Sequence, residues 1–400
     1  MRIGVPRELR NGETRVALTP ESVKRLIALA RPKDADPGAP SPLQIDVEPG
    51  AGDRASFDDA QYQDAGARIA DGAEAVWRES DLVVCVNPPA PAQASLMREG
   101  AALLGSLRST GEPELIETLR SRRISAMAFE AIPRITRAQK VDVLSSMATI
   151  AGYRAVLHGA LACPKIFPML MTAAGTVTAS RVLILGAGVA GLQAIATAKR
   201  LGAVVEAYDV RAAAAEQVES LGARFLRLED PGAETDAETA GGYARELTPE
   251  EQAAQRERLA RHIAQADVVI TTAQVPGRAA PRLIDRATTE RMRPGAVIVD
   301  MAAESGGNCE LTRAGERVEH NGVVILGPVN LPAETPVHAS IMHSRNAAAF
   351  IADMIKDGEL RIDMEDEVVR GAMITHDGEI VHNPTREAMG LPKWEKESTA

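Results

Sequence analysis

Residues 182–191 of this chain read Val-Leu-Ile-Leu-Gly-Ala-Gly-Val-Ala-Gly. An apolar run typical of a buried strand leads into Gly186, Gly188 and Gly191, which form the pattern G-x-G-x-x-G, and an alanine-rich helical stretch follows at 192–201. Glycine at these positions permits a tight turn, close approach of a ligand to the backbone and close packing of the helix on the strand. The stretch therefore predicts a strand–turn–helix unit whose helix N-terminus binds the pyrophosphate of a dinucleotide.

The next apolar run, 204–208, ends on Asp209. A carboxylate at the end of this strand accepts hydrogen bonds from ribose hydroxyls and repels a 2′-phosphate, which favours NAD(H) over NADP(H). Arg211 is of the residue type that accepts such a phosphate, but the position of Asp209 favours NAD(H). The alternative is a glycine-rich turn that holds no ligand. The predicted contacts are Gly186, Ala187, Gly188, Val189, Gly191, Asp209, Val210 and Arg211.

Apolar runs alternate with helix-like segments on both sides of this motif. The runs expected to form strands are Ile3–Val5, Ile45–Val47, Leu82–Val86, Ala101–Leu104, Ile124–Phe129, Val182–Leu185, Val204–Tyr208, a weak Arg224–Leu226, Val268–Thr271, Ala296–Asp300 and Val323–Leu326. Strands separated by helices predict parallel sheets that are covered on both faces. The predicted fold class is α/β, with two doubly wound Rossmann-like domains with parallel sheets, joined by long helices around a cleft.

The pattern also predicts domain boundaries. Residues 1–138 and 331–385 form a first, discontinuous α/β domain, residues 139–330 form the NAD(H)-binding domain, and residues 386–400 form a flexible tail. A proline-free helical pattern from Gln139 to Leu161 is expected to be one long helix. The polar stretch 229–255 is too long for an ordinary loop, and such insertions are often functional.

Composition excludes several functions. The net charge of -10 argues against nucleic-acid binding, which needs a basic surface. The sequence lacks a run of about 18 apolar residues, so a soluble cytoplasmic protein is expected. Its three cysteines are far apart and its histidines are scattered, so no metal site is expected.

A second polar group lies at 134–146, which reads Arg-Ile-Thr-Arg-Ala-Gln-Lys-Val-Asp-Val-Leu-Ser-Ser. Gln139, Asp142 and Ser145 are spaced by three and would share one stripe of a helix. Their donors and acceptors suit a carboxamide such as that of nicotinamide. A solvated helix face is the alternative that the spacing leaves open.

Three stretches, Gly4–Glu8, Gly12–Pro20 and Gly186–Gly202, resemble the alanine dehydrogenase/transhydrogenase family, and the resemblance covers nearly the whole chain. Within the family, the chain is similar to the NAD(H)-binding component of proton-translocating transhydrogenase. The resemblance implies a loop and helix start that hold the nicotinamide and its ribose, formed by Arg134, Ile135, Thr136, Gln139, Asp142 and Ser145. It also implies a mobile loop with Gly242 and Tyr243, and further nucleotide contacts at Gln255 and Gln274.

The resemblance implies direct hydride transfer between NADH and NADP⁺ held on a partner domain, with Gln139 and Asp142 as the catalytic residues. Such a transfer needs close approach of two rings and exclusion of water, and it needs no general acid. A homodimer, an NADP(H)-binding subunit and a membrane-spanning subunit are the implied partners. The last would couple transfer to proton translocation and hold this chain peripherally on the inner face of the cell membrane.

Two other functions stay open. Alanine dehydrogenase binds its substrate with an arginine, a lysine, a histidine and an aspartate. Here Arg15 is present, but the lysine segment reads Val84–Pro88 without lysine, the histidine falls at Leu107–Arg108, and Glu304 occupies the aspartate position. An altered amino-acid dehydrogenase is thus one alternative, and a non-catalytic NAD-binding regulatory protein is the other.

Overall fold

The structure, a computed structural model, describes residues 1–31, 41–228, 249–274, 279–356 and 358–395. The chain divides into two compact units, which we call unit 1 (1–147 with 333–400) and unit 2 (148–332). The predicted boundaries lay at 139 and 331, so residues 139–147 belong to unit 1 instead of the predicted coenzyme domain. The reason is that the 3₁₀ turn Thr136–Val141 contacts a C-terminal helix of unit 1.

Most strands of the large sheet in each unit run parallel to their neighbours. The strands are β1 (Arg2–Val5), β2 (Gln44–Val47), β3 (Arg68–Ile69), β4 (Leu82–Val84), β5 (Ala102–Gly105), β6 (Ser125–Ala128), β7 (Leu170–Thr172), β8 (Gly175–Val177), β9 (Arg181–Leu185), β10 (Val204–Tyr208), β11 (Arg224–Phe225), β12 (Val268–Thr271), β13 (Val297–Asp300), β14 (Arg317–His320), β15 (Val323–Leu326), β16 (Ile355–Lys356), β17 (Glu359–Leu360), β18 (Met373–His376) and β19 (Glu379–Ile380).

Helices connect and cover these strands. They are α1 (Pro20–Leu29), α2 (Asp59–Asp64), α3 (Ala73–Glu79), α4 (Pro91–Ala94), α5 (Pro113–Ser121), α6 (Val143–Ala162), α7 (Val189–Arg200), α8 (Ala214–Ser220), α9 (Pro249–Gln265), α10 (Arg286–Glu290), α11 (Pro336–Met354), α12 (Glu367–Ala372) and α13 (Asn383–Ala388). In the described stretches of the chain, none of them combines the length and apolarity that a membrane crossing requires.

The two large sheets share one strand order. In unit 1 the order is β3-β2-β1-β4-β5-β6, followed by the antiparallel strands β18 and β19. In unit 2 it is β11-β10-β9-β12-β13-β15, followed by the antiparallel strand β14. In each sheet the first strand along the chain lies in the middle. The second and third strands extend the sheet on one side of it, and the later parallel strands extend it on the other, which is the doubly wound arrangement. The prediction of two doubly wound Rossmann-like α/β domains is confirmed.

Valine, isoleucine and alanine build the core of unit 2. β12 and β13 are buried along their whole length, as expected for strands covered on both faces. The buried alanines Ala194 and Ala198 let α7 pack closely on the sheet, beside Val182 and Val205. This packing fixes the start of α7 at the end of β9.

Several elements differ from the prediction. The antiparallel strand β14 and the exposed hairpin β7–β8 were not predicted, because their short runs lack a buried apolar pattern. Strand β18 was not predicted although it is buried, because it pairs with β6, which lies more than 200 residues earlier in the chain. The prediction of a flexible tail at residues 386–400 was wrong for the first residues of that segment. Residues 386–388 lie in α13, and the amide of Trp394 donates to Asn383 Oδ1 at 2.7 Å. Residues 396–400 lie outside the described residues.

Candidate nucleotide-binding site

The turn after β9 requires glycine at two of its positions. Gly186 has a φ of +103°, and a Cβ added to it would lie 2.4 Å from Thr272 Oγ1. A Cβ added to Gly191 would lie 1.9 Å from the carbonyl oxygen of Gly186. Both contacts are far below van der Waals distance, so these two glycines are explained by the fold itself.

Gly188 is different. Its backbone is extended, with φ −76° and ψ −171°, and no atom of the described residues lies within 4 Å of an added Cβ. It is the N-cap of α7, where the first amides of the helix have no partner within the helix and attract anions. The fold therefore does not require glycine at 188, and a side chain there would project into open space at the helix N-terminus.

Asp209 lies beside this turn and is held by several donors. Its Oδ2 accepts from the amide of Ala187 at 2.7 Å, and its Oδ1 accepts from the amide of Arg211 at 2.8 Å. The guanidinium of Arg211 donates to both oxygens at 2.9 Å. Burial alone would raise the pKa of Asp209, but the hydrogen bonds from Arg211 and Ala187 outweigh it and lower that pKa. The carboxylate is thus ionised, and Arg211 is paired with it.

The remaining predicted residues of unit 2 lie in several places. Val189 is exposed at the first position of α7, and Val210 is exposed two residues after the end of β10. Gln274 is exposed after β12, and its Nε2 donates to the carbonyl of Met301 at 3.0 Å. Gln255 is partly buried on α9. Gly242 and Tyr243 lie outside the described residues.

Thr272 and Asn308, the second of which the sequence analysis missed, hold the loop after β12. Thr272 Oγ1 donates to the carbonyl of Gly186 at 3.1 Å. Asn308 accepts from the amide of Ala273 at 3.1 Å and donates to its carbonyl at 2.9 Å. The glycine pair before Asn308, six residues after the end of the buried strand β13, was the signal that could have identified this loop.

The polar segment of unit 1 is not one continuous helix. Gln139 lies exposed in the 3₁₀ turn Thr136–Val141, and α6 begins only at Val143. Between them Asp142 has a non-helical ψ of 84°. The expected stripe of three residues on one helix is therefore wrong, because this residue interrupts the helix.

Asp142 and Ser145 are nevertheless brought together. Asp142 Oδ1 accepts from the amide of Ser145 at 2.9 Å, and Oδ2 accepts from its hydroxyl at 2.6 Å. The side chain thus satisfies a backbone donor in the first turn of α6, which is how aspartate stabilises a helix start. Arg134 and Thr136 lie exposed and Ile135 half-buried just before.

Arg15 is engaged within a buried polar cluster of unit 1. Its Nε and Nη2 donate to the two carboxylate oxygens of Glu13, both at 2.7 Å. Asn87 Nδ2 donates to Glu13 Oε2 at 2.8 Å. Burial raises the pKa of Glu13, but Arg15 more than offsets this and lowers it to about 2. Arg15 is thus held in a buried ion pair with Glu13, as expected of a structural residue.

Comparison with known proteins gives the family. The models "Alanine dehydrogenase/PNT, N-terminal domain" and "Alanine dehydrogenase/PNT, C-terminal domain" match residues 4–151 and 155–383. The chain is 45% identical over 389 residues to an NAD(P) transhydrogenase alpha-subunit chain of Rhodospirillum rubrum, covering 96% of this chain and 98% of that protein. The solved transhydrogenase structure from Sinorhizobium meliloti matches with a TM-score of 0.81 and 39% identity, covering 96% of this chain and 99% of that one.

Alanine dehydrogenase of Bacillus subtilis is a more distant relative. It is 28% identical over 400 residues, covering 98% of this chain and 95% of that enzyme. The likeness thus spans the whole chain in both branches of the family, and it is stronger toward the transhydrogenase alpha subunits.

Proposed function

The chain belongs to the alanine dehydrogenase/PNT family, and from this premise we propose that it is the NAD(H)-binding subunit of a proton-translocating NAD(P) transhydrogenase. It would transfer hydride between NADH and NADP⁺ held on a partner subunit. Asp209 and the N-terminus of α7 would hold the adenosine and pyrophosphate groups of NAD(H).

The open space at Gly188 carries this proposal. Glycine loses more conformational freedom on folding than other residues, so a glycine with ordinary φ and no close contact among the described residues weakens the fold slightly. A ligand whose phosphates approach the backbone at this point would explain why position 188 is glycine. The ionised Asp209, fixed by Ala187 of the same turn, supplies the ribose acceptor and disfavours a 2′-phosphate.

Bound NAD(H) supplies the hydride or accepts it, and the protein supplies binding and orientation. Arg134, Ile135, Thr136, Gln139, Asp142 and Ser145 would hold the nicotinamide end. Asp142 is already oriented by Ser145, so little side-chain entropy is lost when it accepts one more hydrogen bond. Hydride transfer between two nicotinamides moves no proton, and none of these residues has to act as an acid or base.

A free-standing amino-acid dehydrogenase is less well supported. Reduction of a keto acid requires a cation for the carboxylate and a proton donor at the carbonyl. The guanidinium of Arg15 is paired with Glu13 at 2.7 Å, the segment Val84–Pro88 contains no lysine, and Leu107–Arg108 contains no histidine. An assay with L-alanine and NAD⁺ and no partner separates the two functions, because we expect no NADH to form.

Gly188→Ala is the direct test of coenzyme binding. We expect the variant to unfold at the same temperature as the wild type, because its methyl group has no contact within 4 Å among the residues that the structure describes. Its dissociation constant for NADH, measured by calorimetry, should rise about tenfold or more, because the methyl group separates the phosphates from the backbone. An unchanged dissociation constant would contradict the site.

Hydride transfer is tested by mixing the protein with an NADP(H)-binding subunit of a related transhydrogenase. We expect single-turnover transfer in the mixture and none with the protein alone. Gln139→Asn should slow transfer by about an order of magnitude and leave NADH affinity nearly unchanged, because misplacing the ring by a fraction of an ångström is costly. Equal rates would remove Gln139 from the reacting region.

We also propose that the protein forms a homodimer through unit 2. The hairpin β7–β8 is exposed along both strands, and Leu161 and Met171 are 90% and 76% exposed. Exposed apolar side chains in such density mark interaction sites. Light scattering should give twice the mass of the chain, and Met171→Asp should shift the equilibrium toward the monomer. A wild-type monomer at micromolar concentration would refute the dimer.

The other proposed partners are an NADP(H)-binding subunit and a membrane-spanning subunit that couples transfer to proton translocation. They would hold the protein peripherally on the inner face of the cell membrane. The R. rubrum relative is named as a subunit of its transhydrogenase, which supports a multi-subunit assembly here as well. Co-purification with a tagged membrane subunit from the same cells tests this, and a protein recovered only from the soluble fraction would argue against it.

A further inference from the structure

A side-chain amide in α11 joins the two elements on either side of Asp142. We propose that Asn346 is a positioning residue that sets the orientation of Gln139 and Asp142 for hydride transfer. The inference rests on the proposed function, since it assigns to Asn346 a role in the geometry of that reaction. Asn346 lies about 200 residues away in sequence from both elements that it contacts.

The amide of Asn346 uses both of its polar atoms. Its Nδ2 donates to the carbonyl of Lys140 at 2.9 Å, and its Oδ1 accepts from the hydroxyl of Ser146 at 2.7 Å. Lys140 lies in the last turn of the 3₁₀ segment, where carbonyl groups have no partner within the helix. Ser146 lies in the first turn of α6. One side chain therefore fastens the end of one helix to the beginning of the next.

The 3₁₀ turn is attached to α11 at further points. Lys140 Nζ pairs with Asp353 Oδ1 at 2.7 Å. Asp353 and Asn346 are seven residues apart and lie on one face of α11. Ala138 and Val141 are buried, whereas Gln139 is exposed between them. The turn is thus anchored through its backbone and its apolar residues, and this leaves Gln139 free to face a ligand.

Asp142 sits at the joint between the two helices. Its amide donates to the carbonyl of Gln139 at 3.3 Å, and its own carbonyl accepts from the amide of Ser146 at 3.3 Å. Its ψ of 84° is not helical, so the angle between the two helices is set by rotation at this residue. Contacts to Lys140 on one side and to Ser146 on the other restrict that rotation. The side-chain amide of Asn346 therefore controls the direction in which the Asp142 carboxylate points relative to Gln139.

Only an amide fits both contacts. A carboxylate at 346 would place a negative oxygen against the carbonyl of Lys140, and alanine would release both helices. Asn346→Ala, Asn346→Asp and Ser146→Ala therefore form a graded series, in which the last change removes only one of the two hydrogen bonds. Arg345→Ala is the matched control, because this exposed neighbour on α11 pairs only with Glu21 at 3.1 Å in the described contacts.

The test uses the full chain mixed with an NADP(H)-binding subunit of a related transhydrogenase. Melting temperature, NADH dissociation constant and single-turnover hydride transfer rate are measured for each variant. For Asn346→Ala we expect transfer to slow roughly tenfold or more, because a small misplacement of reacting groups is costly, with an NADH dissociation constant within about threefold of wild type. Ser146→Ala should slow transfer less, and Arg345→Ala should match the wild type.

A double-mutant cycle separates positioning from general destabilisation. If Asn346 acts through Gln139, its removal should have little further effect on the transfer rate in a Gln139→Ala background. Fully additive effects, or a wild-type transfer rate in Asn346→Ala, would overturn the inference. Should Asn346→Ala fail to fold, Ser146→Ala in the same cycle decides the question. If the wild type itself transfers no hydride, the proposed function fails instead.

Discussion

The first strand of the large sheet and the turn that follows it fold in the same way in units 1 and 2. In unit 2 the amide of Ala187, the second residue after β9, donates to Asp209 beyond the neighbouring strand β10. In unit 1 the amide of Arg7, the second residue after β1, donates at 2.9 Å to Glu48 directly after β2. In both sheets, an acidic residue at the end of the adjacent strand thus accepts a hydrogen bond from the equivalent backbone amide of the turn.

The third residue of the turn distinguishes them. In unit 2 this residue is Gly188, which leaves open space at the start of α7. In unit 1 it is Glu8, whose carboxylate accepts from the amides of Val86 and Asn87 at 2.6 and 3.2 Å. Glu8 therefore closes the edge of its sheet with the protein's own donors. Shared topology does not make a ligand site, and a single side chain in the turn decides whether the edge stays open.

The largest effect is expected where glycine is required by packing alone. Gly191→Ala should lower the free energy of unfolding by about 3 kcal/mol or more, because the new methyl group would collide with the backbone of Gly186. Denaturant unfolding monitored by circular dichroism measures this. Gly188→Ala is the control and should unfold like the wild type. If the two variants were equally stable, the distinction between a packing glycine and a ligand glycine would be lost.

The buried His343 of unit 1, which lies in α11, should make the stability of this unit dependent on pH. Burial, with the nearby charge of Arg15, lowers the pKa of His343 to about 4, whereas an unfolded histidine titrates near 6.5. The contribution is present above pH 6.5 and is lost as the pH falls toward 4, because the unfolded chain then binds the proton first. The expected loss is about 3 kcal/mol over this range.

His343→Gln isolates this contribution. Glutamine can still bond to the carbonyl of Ala17, which His343 Nδ1 contacts at 3.3 Å, but it does not titrate. Urea unfolding at pH 7 and pH 4.5 should show a smaller loss of stability in the variant than in the wild type. Equal losses would mean that other groups, such as Glu13, account for the acid sensitivity.

The strands of the two sheets were largely predictable because burial on both faces leaves continuous runs of valine, isoleucine and leucine. β9, β10, β12, β13 and β15 lie where the apolar runs predicted them. β18 pairs with β6, from which it is separated by more than 200 residues, and local pattern does not report such pairing. The exposed hairpin β7–β8 lacks a buried face and so gave no signal.

The candidate site was only partly predictable. The glycines and Asp209 were predictable, because the backbone geometry of the turn requires these residue types at fixed positions in the sequence. The break at Asp142 was not predictable from spacing, because an aspartate in the middle of a polar helical stripe and an aspartate at a helix start have the same spacing in the sequence. Asn308 and Asn346 act through single amides on distant segments, and their sequence neighbours do not reveal those partners.

The two equivalent acids should differ in what they control. Asp209→Ala is expected to weaken NADH binding about 10- to 100-fold, or about 1.4–2.7 kcal/mol, because the ribose hydroxyls lose their acceptor. It should also reduce the preference for NADH over NADPH, since the charge that repels the phosphate is removed. Calorimetry with both coenzymes measures this. Glu48→Gln is the control in unit 1, and a comparable loss of NADH affinity in that variant would contradict the comparison.

The smallest effect is expected at the ion pair that accompanies Glu48. Arg7 Nε lies 3.7 Å from Glu48 Oε1, and the Arg7 side chain is about half exposed, so water screens the pair. Arg7→Ala keeps the backbone amide that donates to Glu48, and it should change the free energy of unfolding by less than about 1 kcal/mol. NADH affinity should stay at the wild-type value. A larger loss of stability would show that the side chain, and not the shared backbone hydrogen bond, holds the turn of unit 1 in place.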